Sequence, residues 1–120
     1  MKKQFNFASV KVLILIIFSF GFASLTTAKC VYLKPMNIKK MGMGFMLSWE
    51  TSEEADIQAF VIQRSTNGID FKNAGDVKGA GYSTKVTSYR FLDLIHTGKK
   101  TCYRLLHYAT DGSFTISETF

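Results

Sequence analysis

The 120-residue chain is poor in the residues that mark many familiar classes: one proline, one tryptophan, two cysteines, two histidines and 9 acidic residues. Two cysteines cannot frame a disulfide-dense miniprotein, and with two histidines they do not supply the clustered ligands of a zinc module. One proline and nine glycines exclude a collagen-like repeat. No apolar run reaches the roughly 20 residues a membrane-spanning helix requires. A Gly-rich phosphate loop, Gly-x-Ser-x-Gly, His-Glu-x-x-His and an Asp-x-Asp-x-Asp-Gly calcium loop are all missing. Charged residues make up 20% and hydrophobic residues 47%, the balance of a globular chain with room for one domain.

What is present is unevenly distributed. Residues 1–11 carry Lys2, Lys3 and Lys11 and no acid, and Val12 to Ala23 runs without a charge. Ser24-Leu25-Thr26-Thr27-Ala28 follows, with Thr26 and Ala28 suited to the small −3 and −1 subsites of a signal peptidase. A basic start, a short apolar stretch and a small-residue exit predict a secretory signal peptide over 1–28, cleaved after Ala28. An uncleaved anchor and a buried core helix are the competing readings. Lys29 stands where a lipoprotein signal wants a small residue before its cysteine, which disfavours a lipid on Cys30. The leader also accounts for half the excess charge. The whole chain carries +6, whereas residues 29–120 hold 12 basic and 9 acidic residues, a net +3. Lys39-Lys40 and Lys99-Lys100 are isolated pairs, read as solvated turn residues, so no nucleic-acid footprint is expected.

Residues 29–120 are punctuated by turn signals at Gly42 and Gly44, Asn67-Gly68, Gly79-Ala80-Gly81, Gly98 and Asp111-Gly112. Asn-Gly and Asp-Gly suit hairpins because a type I′ turn needs positive φ at both central positions. Between the turns apolar residues alternate: Phe45, Leu47 and Trp49; Phe60 and Ile62; Tyr89 and Phe91; Tyr103 and Leu105. A period of two marks strands with one buried face, and these nine residues are the expected core. The spacing predicts strands near 31–40, 44–50, 58–66, 69–78, 84–92, 100–109 and 113–119. Seven short strands suggest an all-β, two-sheet antiparallel sandwich over 29–120, with Pro35 on an edge. Thr51-x-x-Glu54 has capping-box spacing and permits one helical turn in the intervening loop.

The runs Phe45-Met46-Leu47-Ser48-Trp49-Glu50-Thr51 and Phe60-Val61-Ile62-Gln63-Arg64-Ser65-Thr66-Asn67-Gly68-Ile69-Asp70-Phe71 resemble fibronectin type III-like domains of secreted Bacteroidota surface proteins. The similarity continues through Tyr89-Arg90-Phe91-Leu92-Asp93, Tyr103-Arg104-Leu105 and Asp111-Gly112-Ser113-Phe114-Thr115-Ile116-Ser117. The resemblance implies a seven-stranded, immunoglobulin-like sandwich used as a spacer or adhesive module. Cys102 departs from it, standing where the family usually has an aromatic residue. The chain also ends at Phe120 with no catalytic neighbour or sorting domain beside it.

Export would place Cys30 and Cys102 in an oxidising compartment, where an even count fits one disulfide. Closing so long a loop is worth about 4–5 kcal/mol in the chain-entropy account. Against it, Cys102 has the opposite parity to Tyr103 and should face outward. Free or intermolecular thiols are the alternative. Glu50, Glu53, Glu54 and Asp56 read as a solvated acidic loop rather than a calcium or glycosidase site. His96 and His107 lack metal spacing with each other or with a cysteine. Cys102 and His107, five apart on one strand, point to opposite faces and cannot form a nucleophile pair.

The sequence therefore implies an exported, non-enzymatic module, with no catalytic, cofactor-binding or metal-binding residues and no cofactor. Its expected partner is an extracellular or envelope protein or glycan, with no stable membrane span after cleavage. Arg64, Tyr82, Tyr108 and the Gly79–Gly81 loop are the expected surface contributors. A ligand-free structural module from a larger secreted protein is the first alternative, and a small envelope hydrolase the second.

Overall fold

The computed structural model describes residues 28–94 and 99–120. The first 27 residues of the expected leader, His96 and Gly98 lie outside them. The chain forms β1 (Lys29–Tyr32), β2 (Asn37–Met41), β3 (Gly44–Ser65), β4 (Lys72–Ser83), β5 (Thr87–Asp93), β6 (Cys102–Tyr108) and β7 (Phe114–Ile116). All pairings among the described residues are antiparallel and belong to one seven-stranded sheet, curled into a half-barrel. Among these residues no helix is long and apolar enough to cross a membrane.

The number of strands agrees with the sequence reading, but their division does not. The expected strand over 31–40 breaks at Leu33–Met36, where Pro35 lacks the N–H a ladder needs. The expected 44–50 and 58–66 strands are one 22-residue strand, β3, running through the acidic stretch expected to be a loop. Thr51 to Glu54 is strand, with no helical turn. Gly79-Ala80-Gly81 is likewise inside β4 rather than in a loop.

β3 is the spine. Its first half pairs with β2 through Ser48↔Asn37 to Gly44↔Met41, and with β5 through Phe45↔Asp93 to Thr51↔Thr87. Its middle pairs with β1, and its second half with β4 and β6. The halves meet at Asp56, whose φ of 57° is left-handed, and the β3–β4 register shifts on either side of Ile57. Aspartate tolerates this region better than most residues, and such bulges bend a strand and sharpen its twist. Asp56 Oδ1 accepts from the Thr110 hydroxyl (2.8 Å) and backbone N–H (3.2 Å), pinning the bend to the turn after β6.

Bending brings the apolar face of one half over the other. Trp49 stacks on Tyr89 (5.5 Å, 18°), while Phe60 from the second half lies 5.5 Å from Trp49 and 4.8 Å from Tyr89. Met36, Leu47, Ile57, Ile62, Tyr103 and Leu105 complete the buried cluster, with Phe45 and Phe91 partly buried against it. Gly75 leaves room for this packing, since a Cβ there would lie 2.5 Å from the Phe91 ring and push it aside. A second, smaller cluster of Val61, Leu106 and Tyr108 occupies the opposite face of β3 and β6.

Candidate functional site

The bend in β3 gathers buried polar side chains. Glu54, 2% exposed, accepts from Thr51 Oγ1 (2.7 Å) and the Tyr89 hydroxyl through Oε2, and from the Ala80 backbone N–H (2.9 Å) through Oε1. These three donors replace the water that burial removes, which makes a buried carboxylate tolerable. Cys30 pairs in register with Glu54, two residues before Tyr32 on β1. Tyr32 Oη lies 3.0 Å from Nδ1 of buried His107.

The electrostatics of this cluster disfavour a thiolate at Cys30. Burial pushes the Cys30 thiol up to about 12, outweighing the Tyr32 hydrogen bond that favours the thiolate, and the Glu54 charge adds to the rise. The protonated thiol is a poor nucleophile. Burial pushes Tyr32 and Tyr89 above the ordinary phenol range, with the hydrogen bond to Glu54 adding to the rise at Tyr89. It lowers His107 below its ordinary value, against the pull of Glu54. The arrangement keeps phenols and thiol protonated and the imidazole neutral.

A second buried network lies at the other end of the sheet. Asp93, 3% exposed, accepts from the Tyr103 hydroxyl (2.7 Å) and forms an ion pair with Arg64 Nε (3.3 Å) through the same Oδ2. Arg64 is thus committed inward. Its expected surface role is corrected by an alternation that places it on the core-facing side with Phe60 and Ile62. Tyr108 is also corrected, being 5% exposed and packed with Val61, Leu106 and Phe114. Tyr82, at 72%, is exposed.

The cysteines are both free. Cys30 is opposite Glu54 and Cys102 opposite Ser65, so the two register positions lie eleven positions apart on β3. A disulfide requires Cα atoms within about 7 Å. The candidate bridge is therefore corrected: both strands are held against distant parts of the same spine. The acidic loop is corrected too, since Glu54 and Asp56 are buried and Glu50 and Glu53 pair with Lys34 (3.9 Å) and Lys29 (3.2 Å). Among the described residues no three His, Cys, Asp or Glu side chains are grouped to hold a metal.

The solvent-facing candidate is a groove of about 690 Å³ over β3 and β5. Trp49 and Tyr89 turn inward, so Ser48 and Glu50 line up outside with Arg90 and Ser88, their register partners. Lys34 and Asn37 close the rim. Ser88 donates to Glu50 (3.3 Å), and Arg90 has no ion-pair partner among the described residues. The groove thus offers hydroxyls, an amide, a carboxylate and an uncommitted guanidinium. A smaller groove of about 380 Å³ lies between Tyr32, Lys34, Pro35 and the terminal Ser117, Glu118 and Phe120. The sequence reading missed the larger groove because its polar positions, spaced by two on separate strands, look like ordinary exposed faces. No family model, curated protein or solved structure matches the chain.

Proposed function

We propose that the chain is an exported, non-enzymatic binding module, making protein or glycan contact outside the cell or at its envelope through the outer face of β3 and β5. The observation that carries this reading is the groove itself. It is open and mixed in character. Arg90, which has no ion-pair partner among the described residues, lies with Glu50, Ser48 and Ser88 beside the apolar surface of Pro35, Met36, Trp49 and Tyr89. Hydrogen-bonding side chains on a rigid strand pair, set against apolar surface, suit a ligand with polar groups on an apolar frame, such as a sugar or a peptide. Export rests on the basic, apolar and small-residue order of the first 28 residues.

The same reading takes the fold as a fibronectin type III-like sandwich. Its support is the strand order: β2–β3–β5 around the first half of β3, and β4–β3–β6–β7 around the second. The shared spine would act as two consecutive strands of different sheets, joined without a loop at Asp56.

Binding to immobilised acidic and neutral polysaccharides and to an outer-membrane protein extract tests the function. Retention that weakens at least ~10-fold in Arg90→Ala and Ser48→Ala variants is the expected result. Folded protein that none of these surfaces retains would leave the ligand-free structural module as the better account.

A further inference from the structure

We propose that two copies of this chain associate through the free edge of β4, pairing antiparallel about Val77 so that Asp76 of each copy meets Lys78 of the other. β4 is twelve residues long and pairs only with β3, so its other edge presents unpaired backbone groups among the described residues. Long free edges are templates for another strand unless charge, proline or a bulge blocks them. β7 is also at the border of the sheet but is only three residues long.

The sequence of β4 is nearly symmetric about Val77. In Ala74-Gly75-Asp76-Val77-Lys78-Gly79-Ala80, an antiparallel copy centred on Val77 sets Gly75 opposite Gly79 and Asp76 opposite Lys78. The two-fold axis repeats both pairings, as an isologous contact requires. Asp76 and Lys78 are both exposed and neither forms an ion pair within the chain among the described residues. Directly opposed charges of unlike sign favour cross-strand pairing, and like charges oppose it. Lysine on an edge usually deters a neighbour, but here the matching aspartate converts it into a partner.

Geometry favours the centre of the strand. Between Gly75 and Lys78 the pairing of β4 with β3 is regular, and the register irregularities fall outside this segment. The glycines at 75 and 79 are already explained by Phe91 and Ile57, against which a Cβ would collide at 2.5 and 2.4 Å. Their lack of side chains also lets a second backbone approach. Such pairing occupies both β4 edges, so the assembly closes at two chains.

Sedimentation of the purified protein from ~1 µM to ~1 mM tests this. A monomer–dimer equilibrium is expected, with Asp76→Lys and Lys78→Asp each weakening it about tenfold or more. The double charge swap, and an equimolar mixture of the two single variants, should associate within about threefold of the original protein. Circular dichroism confirms that the variants fold, which both exposed positions should allow. A monomer at every concentration, single variants that dimerise unchanged, or folded variants whose mixture fails to associate would each overturn the proposal.

Discussion

The carboxylate of Glu54 and the backbone N–H of Ala80 are joined by a 2.9 Å hydrogen bond across 26 residues of chain. It ties the bend of β3 to the glycine-flanked part of β4, while the other oxygen of Glu54 holds Thr51 and Tyr89. Removing the carboxylate leaves three donors without their acceptor. Glu54→Ala should lower unfolding stability by about 3 kcal/mol or more, and Glu54→Gln by less, because its amide oxygen still accepts. Urea titration followed by tryptophan fluorescence reads both values through Trp49.

The pH response follows from His107. Burial holds its folded pKa below the ordinary value of 6.5, so the unfolded chain binds the proton more readily. Stability is therefore complete above about pH 6.5 and declines as the pH falls below it toward the folded value. His107→Gln keeps a partner for the Tyr32 hydroxyl but cannot titrate. Stability measured between pH 8 and 5 should decline for the original protein and flatten for the variant. Equal slopes would assign the decline elsewhere.

Much of the core was legible from alternation alone. Leu47, Trp49, Phe60, Ile62, Tyr103 and Leu105 repeat at a spacing of two and are all buried. What alternation could not reveal was the continuity of β3. Glu50-Thr51-Ser52-Glu53-Glu54-Ala55-Asp56 has a loop's composition, because the groups that make its charges tolerable arrive from Ala80, Tyr89 and Thr110. Arg64 is drawn inward for the same reason, by Asp93 29 positions later. A polar residue's own chemistry points to solvent, whereas its burial here depends on partners distant in sequence.

Asp56 and Gly79 should respond differently to alanine. Asp56→Ala loses both hydrogen bonds to Thr110 and places a β-carbon residue without local polar support at φ 57°, which should cost about 2 kcal/mol. Asp56→Asn retains an acceptor and the tolerance for this conformation, and should cost less than about 1 kcal/mol. At Gly79 the new Cβ would meet the backbone carbonyl of Ile57 at 2.4 Å, an atom that cannot rotate away. Gly79→Ala should therefore exceed the cost of Gly75→Ala, where the obstacle is the Phe91 side chain. Thermal unfolding of the four variants gives the order.

The thiols should be countable and unequal. With no bridge between them, denatured protein should take up two alkyl groups per chain without reductant, and its mobility should not change on reduction. In the folded state Cys30 should react slowly with iodoacetamide at pH 8, because burial raises its pKa to about 12 and little thiolate forms. Cys30→Ser should remove the slow phase. One alkyl group or none would show that pairing had occurred despite the separation along β3.

Trp49 separates packing from hydrogen bonding in a single position. It is 2% exposed and contacts both Phe60 and Tyr89, yet its indole Nε1 has no hydrogen-bond partner among the described residues. Trp49→Ala should cost about 3–5 kcal/mol through lost contact and the cavity left behind. Trp49→Phe removes less volume and also relieves the unpartnered N–H, whose burial costs about 1–3 kcal/mol. The two effects oppose, so Trp49→Phe should fall within about 1 kcal/mol of the original protein in urea unfolding. A loss approaching that of alanine would mean that the indole's own contacts with Phe60 and Tyr89, rather than buried volume alone, carry its contribution.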